Sequence, residues 1–301
     1  MALYFTRRSY NAQKKTFTDN MAKITRYVEL GDDNTGRSLK RADWLDLVRA
    51  KMSEPEVTIY IHGFNTPQTV MLERLRKFER GLPKHGYRGA ILAFDWPSDG
   101  VVWSYDKDKN NAQKVAPHLI TDVILPLLAL TPTPKVNIIA HSMGAHLTLC
   151  ALSHFGDAAT PGTGSWKLNE AMFASGDEDD AAFEKGAWAS LLLARRFKRF
   201  TNYYSRADVV LVPSKFGDRF RDRVGRVGMP ALVENSHIDV SQQDNDGMDE
   251  DGRPVGIIET HNWWFDSDLW MQDVALTLGG ANATIMPTRR TSQSGARVLT
   301  T

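Results

Sequence analysis

A single cysteine among 301 residues, Cys150, excludes an intramolecular disulfide and with it the small disulfide-stapled folds of secreted proteins. It falls in a helical stretch and reads as a packing residue. Metal-ligand spacing is also missing: there is no cysteine pair and no HExxH, and the 8 histidines are scattered. No apolar run approaches the ~20 residues that a spanning helix needs. Met1 to Ser9 carries Arg7 and Arg8 after a short apolar start, the reverse of the order in a secretory signal. A reducing, cytoplasmic location is the expectation, with no membrane span. An excess of either charge is lacking too, with 37 basic and 36 acidic side chains, so nothing electrostatic argues for nucleic acid or an anionic membrane as partner. What is present is a 42% hydrophobic chain able to bury a large core.

Hydrophobic patterning organises the chain. Ala2 to Phe5 and Lys23 to Leu30 read as short strands around a polar stretch, and a helical face starts at Asp43 with Trp44, Leu45, Leu47 and Val48. Val57 to Ile61 is a buried strand, Gln68 to Gly81 an amphipathic helix with Val70, Leu72, Leu75 and Phe78 inward, and Ala90 to Phe94 another strand. This alternation predicts a parallel sheet with right-handed crossovers. Asn110 to Leu130 is a long helix that Pro117 and Pro126 kink or split. Leu168 to Ala174 and Phe200 to Tyr204 are further strands, with a helix from Ala181 to Phe197 weakened by Gly186. Pro213 to Met229, rich in Arg and Gly, reads as a surface loop, Leu232 to Val240 as the last strand, and Asp268 to Leu278 as a closing helix. Residues 1–55 therefore belong to the same domain as the core at 56–279. Residues 280–301, rich in Thr, Ser, Arg and Gly, are expected to form a disordered tail.

Two strand ends carry chemistry. The β-branched run Val136 to Ile139 stops at Ala140-His141-Ser142-Met143-Gly144 and gives way to helix-forming residues through Leu152. A serine at the apex of a strand–turn–helix needs small residues two before and two after it, because the two backbones nearly touch; Ala140 and Gly144 meet that need. The strand Val57 to Ile61 ends at His62-Gly63-Phe64-Asn65, where a glycine lets a backbone N–H face a substrate oxygen.

A serine hydroxyl needs a histidine base, and the base needs a carboxylate to fix its tautomer. Where a nucleophile elbow of this kind is used, the partners follow in the order serine, acid, histidine. Ser142, Asp208 and His261 fit that order, each beside a strand end or before the final helix. Asp177 is the rival acid, following the preceding strand. Among other histidines, His237 sits inside a strand, His146 and His154 ride the helix after the serine, and His141 points to the opposite side of the turn.

Taken in order over about residues 57 to 278, IHGFN, FDWPS, Tyr105 with Asp108, AHSMG, Asp177-x-x-Asp180-x-x-Phe183, YYSRAD and the late His261 resemble a bacterial family of α/β-hydrolases. The resemblance implies an α/β class protein with the α/β-hydrolase fold: a mostly parallel central sheet with helices on both faces. It implies Ser142, Asp208 and His261 as triad, with the Phe64 and Met143 amides as oxyanion donors. Thr260-His261-Asn262-Trp263-Trp264 departs from the family, which often has Gly or Asp before the histidine and Ser after it. The activity expected is carboxylic ester hydrolysis of a small ester or acyl substrate, without cofactor or metal. Acyl transfer on the same triad and a non-catalytic scaffold are the alternatives. Phe64, Trp96, Trp103, Tyr105 and Trp263 are candidates for an apolar substrate pocket.

Overall fold

The computed structural model describes residues 1–31, 36–98, 105–154, 166–212, 221–234, 236–242, 256, 258–293 and 295–300. Two compact units emerge, Met1–Glu79 with Arg88–Leu168, and Arg80–Tyr87 with Asn169–Thr301.

The first unit opens with β1 (Ala2–Asn11), β2 (Thr16–Leu30) and β3 (Gly36–Leu39), followed by α1 (Arg41–Lys51). Next come β4 (Glu56–Ile61), α2 (Gln68–Lys84), β5 (Ala90–Asp95), α3 (Tyr105–His118), α4 (Leu125–Leu128), β6 (Lys135–His141) and α5 (Met143–Ser153). Its strands lie in the order β6-β4-β5-β1-β2-β3. β4 runs parallel to both β5 and β6, and β1 parallel to β5, while β2 and β3 add antiparallel strands. Every residue of β4 and β5 is buried, as expected of mostly apolar strands in a parallel sheet covered on both faces. Phe5 stacks on Phe94 across the β1–β5 pair, and Trp44 of α1 meets Phe5 edge-on.

The long helix expected over residues 110–130 is split where its prolines fall. α3 ends at His118 after Pro117, a π-helical turn covers Leu119–Ile124, and α4 resumes around Pro126. Proline lacks the N–H that would continue the ladder. The buried stripe of α2 is Met71, Leu75, Phe78 and Leu82, so the inward face is turned from the expected one, and Val70 and Leu72 are half-buried. The two short N-terminal strands expected are instead a long hairpin. β1 pairs with β2 from Ala2↔Leu30 to Asn11↔Thr16, with the ladder slipping register on either side of Arg8.

The second unit contains β7 (Leu168–Ala174), α6 (Trp188–Arg196), β8 (Phe197–Tyr204), α7 (Val224–Val227), β9 (His237–Ser241), α8 (Glu259–Asn262), α9 (Asp268–Leu278), β10 (Arg289–Thr291) and β11 (Arg297–Leu299). Its strand order is β10-β11-β9-β8-β7, with β8, β9 and β11 successively parallel. Gly186, at φ 85, breaks the helix expected over Ala181 to Phe197 into a 3-10 turn and α6.

The expectation of a disordered tail at 280–301 is corrected. β10 and β11 form a hairpin, and β11 adds to β9. The cause is a buried anchor that composition does not reveal. Arg289 forks onto Asp273 of α9, with Nε 2.8 Å from Oδ2 and Nη2 2.6 Å from Oδ1. Tyr203 Oη donates to the same carboxylate at 2.7 Å. Among the described residues no helix is long and apolar enough to cross a membrane.

Removing one partner of a buried, forked ion pair leaves an uncompensated charge, which costs about 3 to 5 kcal/mol. Arg289→Met is expected to lower the urea midpoint accordingly; an unchanged midpoint would show the C-terminal hairpin to be dispensable.

Candidate active site

In the first unit, β6 runs into α5 through Ser142, which sits at φ 53 and ψ −126. A non-glycine residue there is strained by roughly 1–3 kcal/mol, a cost that persists only where the surroundings enforce it. The enforcement is steric. A Cβ on Gly144 would lie 2.5 Å from the Ile61 carbonyl oxygen and 2.8 Å from that of His62, so the start of α5 is pressed against the end of β4. A Cβ on Gly63 would come within 2.6 Å of Ser142 Cβ. The His62-Gly63 turn and the serine apex are thus in direct contact, and both glycines are needed for it.

His62 is fully buried and its tautomer follows from its partners. Nδ1 lies 3.0 Å from the Gly63 carbonyl, which only accepts, and Nε2 lies 3.1 Å from the Trp96 N–H, which only donates. The ring is therefore neutral with its proton on Nδ1. Burial holds its pKa below the ordinary imidazole value, against the opposing pull of Asp95. Trp96, expected as a possible pocket residue, is fully buried and stacks on His62 at 5.1 Å, with its indole N–H on the His62 carbonyl at 2.8 Å. That corrects the expectation: Trp96 holds the turn in place and presents no surface to a substrate. Phe64 and Tyr105 are half-buried and meet edge-on at 5.5 Å. Trp103 lies outside the described residues. Met143 supplies the first N–H of α5, one of the helix amides without an intrahelical acceptor.

In the second unit, Asp208 follows β8 and is fully buried. Its Oδ1 accepts the Val210 and Leu211 N–H groups at 3.1 and 3.3 Å, and its Oδ2 accepts His261 Nδ1–H at 2.7 Å. The carboxylate is oriented by its own turn, and it fixes the imidazole tautomer with the proton on Nδ1. His261 sits in α8, and the segment is anchored by the next turn. Trp264 is fully buried, packs edge-on against Tyr203 and donates its indole N–H to Ser175 Oγ at 2.8 Å. Trp263 is half-buried, with its ring centroid 4.1 Å from that of Trp264. The rival acid, Asp177, lies against Arg223, with Oδ1 3.4 Å from Nε. His146 lies against Gln113 and Cys150, and His237 is buried against Ser190 and Phe200. Burial takes His237 down to about 4.

Sequence reasoning missed the charged cluster around the His62-Gly63 turn. Asp95, at the end of β5, is fully buried and accepts Arg8 Nε at 2.7 Å, Thr6 Oγ1 at 2.8 Å and Gln68 Nε2 at 2.7 Å. Burial would raise this carboxyl, but the Arg8 guanidinium beside it outweighs burial and holds it down to about 2. The signal was available only as two charges at strand positions otherwise buried.

A mostly parallel sheet with crossover helices, and a strained serine between strand and helix, define an α/β-hydrolase fold. The chain belongs to the family described as alpha/beta hydrolase of unknown function (DUF900), whose model matches residues 40–247. It is 35% identical over 81 residues to the uncharacterized protein alr1448 of Nostoc sp., a stretch covering 27% of this chain and 20% of that protein. Among solved structures it is similar to a cutinase-like protein from Cryptococcus sp., with 18% identity, a TM-score of 0.41, and 77% of this chain and 100% of that one covered. RedJ, solved with a polyethylene glycol molecule in its active site, is similar at 16% identity and a TM-score of 0.30, over 54% of this chain and 73% of its own.

Gly144→Ala is expected to destabilise the protein by about 3 kcal/mol, since its methyl group would overlap backbone oxygens that cannot move independently of the sheet. Thermal melting measures this, and a melting temperature within a degree of wild type would remove the close approach from the account.

Proposed function

We propose that the protein is a serine hydrolase that cleaves carboxylic esters through an acyl-enzyme, with Ser142 as nucleophile, His261 as base and Asp208 as its orienting acid. The observation that carries this reading is the serine held at φ 53 at the strand–helix apex by the close approach of α5 to the end of β4. The second support is the 2.7 Å Asp208–His261 bond, which fixes the ring proton on Nδ1, the tautomer that the base of a serine needs.

In the proposed reaction His261 Nε2 takes the Ser142 hydroxyl proton as Oγ attacks the ester carbonyl. The Phe64 and Met143 N–H groups receive the oxyanion, a contribution of about 3 kcal/mol per donor. Imidazolium then protonates the leaving alcohol as the carbon–oxygen bond breaks. Water, deprotonated by the same nitrogen, attacks the acyl-enzyme, and collapse of the second tetrahedral intermediate frees the acid and returns the proton to Ser142. Asp208 stays ionised throughout and stabilises the imidazolium. Among the described residues, half-buried Phe64 and Tyr105 offer aromatic surface to a substrate in the first unit, and Trp263 in the second.

Ser142→Ala is expected to lower kcat on p-nitrophenyl butyrate at least about 1,000-fold while the fold persists. Steady-state hydrolysis with circular dichroism as the folding control tests this; a variant that keeps wild-type turnover would refute the assignment of the nucleophile. Adding a competing alcohol and analysing products separates transfer to water from transfer to an acceptor.

A further inference from the structure

The loop after β4 is held at nearly every peptide group. His62 Nδ1–H grips the Gly63 carbonyl at 3.0 Å. In a trans peptide the C=O and the following N–H point opposite ways, so this bond also sets the direction of the Phe64 N–H. Thr66 Oγ1 donates to the Phe64 carbonyl at 3.1 Å, and Asn65 takes up the turn at φ 51. The Thr66 N–H donates to Ser98 Oγ at 3.1 Å, and that hydroxyl donates to Asp108 at 2.8 Å.

The remaining grip comes from Arg8, 1% exposed, on β1. Its Nη2 donates to the Thr66 carbonyl at 2.9 Å, its Nη1 to the Ser98 carbonyl at 3.1 Å and to Asp19, and its Nε to Asp95. One planar guanidinium thus ties the loop after β4 to the loop after β5. The β1–β2 ladder slips register on both sides of Arg8, and the Arg8 N–H turns to Thr6 Oγ1 at 3.0 Å. Such irregularities re-aim side chains at functional sites. A buried guanidinium is costly unless every donor direction is matched, and a hydrophobic residue often stabilises such a position better. A role in stability alone is therefore a poor explanation of Arg8.

We propose that Arg8 is a positioning residue that, through the Thr66 and Ser98 carbonyls, holds the Phe64 N–H where the oxyanion forms. The inference rests on the serine-hydrolase reading above. The Arg8 side chain touches no reacting atom; its contribution is to keep the donor from turning away as charge develops.

The test uses Arg8→Met, Arg8→Lys and Ser98→Ala, with Arg37→Met on the exposed β3 as control. Active sites are counted by fluorophosphonate titration, and kcat on p-nitrophenyl butyrate is expressed per titrated site. Arg8→Met is expected to lose about 10- to 100-fold in kcat per site with KM within about twofold of wild type. The Ki of phenylboronic acid, whose serine adduct places an oxygen in the oxyanion position, is expected to rise by the same factor. Arg8→Lys keeps the charge but not the fork and falls between. Ser98→Ala releases the Thr66 N–H and shifts both quantities in the same direction by less, and it decides the matter should Arg8→Met not fold. Fewer titratable sites with wild-type kcat per site would reduce Arg8 to a folding residue and overturn the inference alone. A wild-type protein that fluorophosphonate does not titrate would overturn the hydrolase reading and this inference with it.

Discussion

The close approach of α5 to the end of β4 is the constraint on which the rest depends. Two backbones that come within contact of each other at Gly144 and Gly63 leave Ser142 no ordinary conformation, and the serine is driven to φ 53. The same contact brings the His62-Gly63 turn against the serine side chain. Strained serine and turn are thus products of one packing event, and neither can be adjusted without the other. The parallel pairing of β4 with β5 and β6, buried throughout, gives that event a rigid base.

Around this constraint, buried carboxylates are each held by several hydrogen bonds. Asp95 meets Arg8, Thr6 and Gln68 in the first unit. In the second, Asp208 meets its own turn amides and His261, and Asp273 meets Arg289, Tyr203 and Thr288. A carboxylate in the interior is tolerable only when its lone pairs are filled in this way. The effect is orientation: a His261 ring whose tautomer is defined, and a loop after β4 whose peptides cannot turn.

Much of the fold was legible because its strands are buried on both faces. β4, β6 and β7 read as mostly apolar runs, and α9 as a closing helix over Asp268 to Leu278. The N-terminal hairpin was not, because β2 faces solvent over much of its length and alternates weakly. The C-terminal strands escaped for a related reason: their order depends on Arg289 reaching Asp273, a contact that local composition does not encode. The same limit applies at the site. Ser142, Asp208 and His261 stand out by motif and order, whereas Arg8 and Asp95 look like surface charges until the sheet buries them. Trp96, conspicuous as an aromatic, is a packing residue because its ring stacks on His62 and its indole N–H holds the His62 carbonyl.

The central claim is that the strained serine is a nucleophile activated by His261. Peptide mapping by mass spectrometry after reaction with a fluorophosphonate tests it most directly. The account predicts a single phosphonyl adduct on Ser142 in the wild-type protein and strongly slowed adduct formation in His261→Ala. An adduct on another residue, or none under conditions that label a known serine esterase, would contradict it.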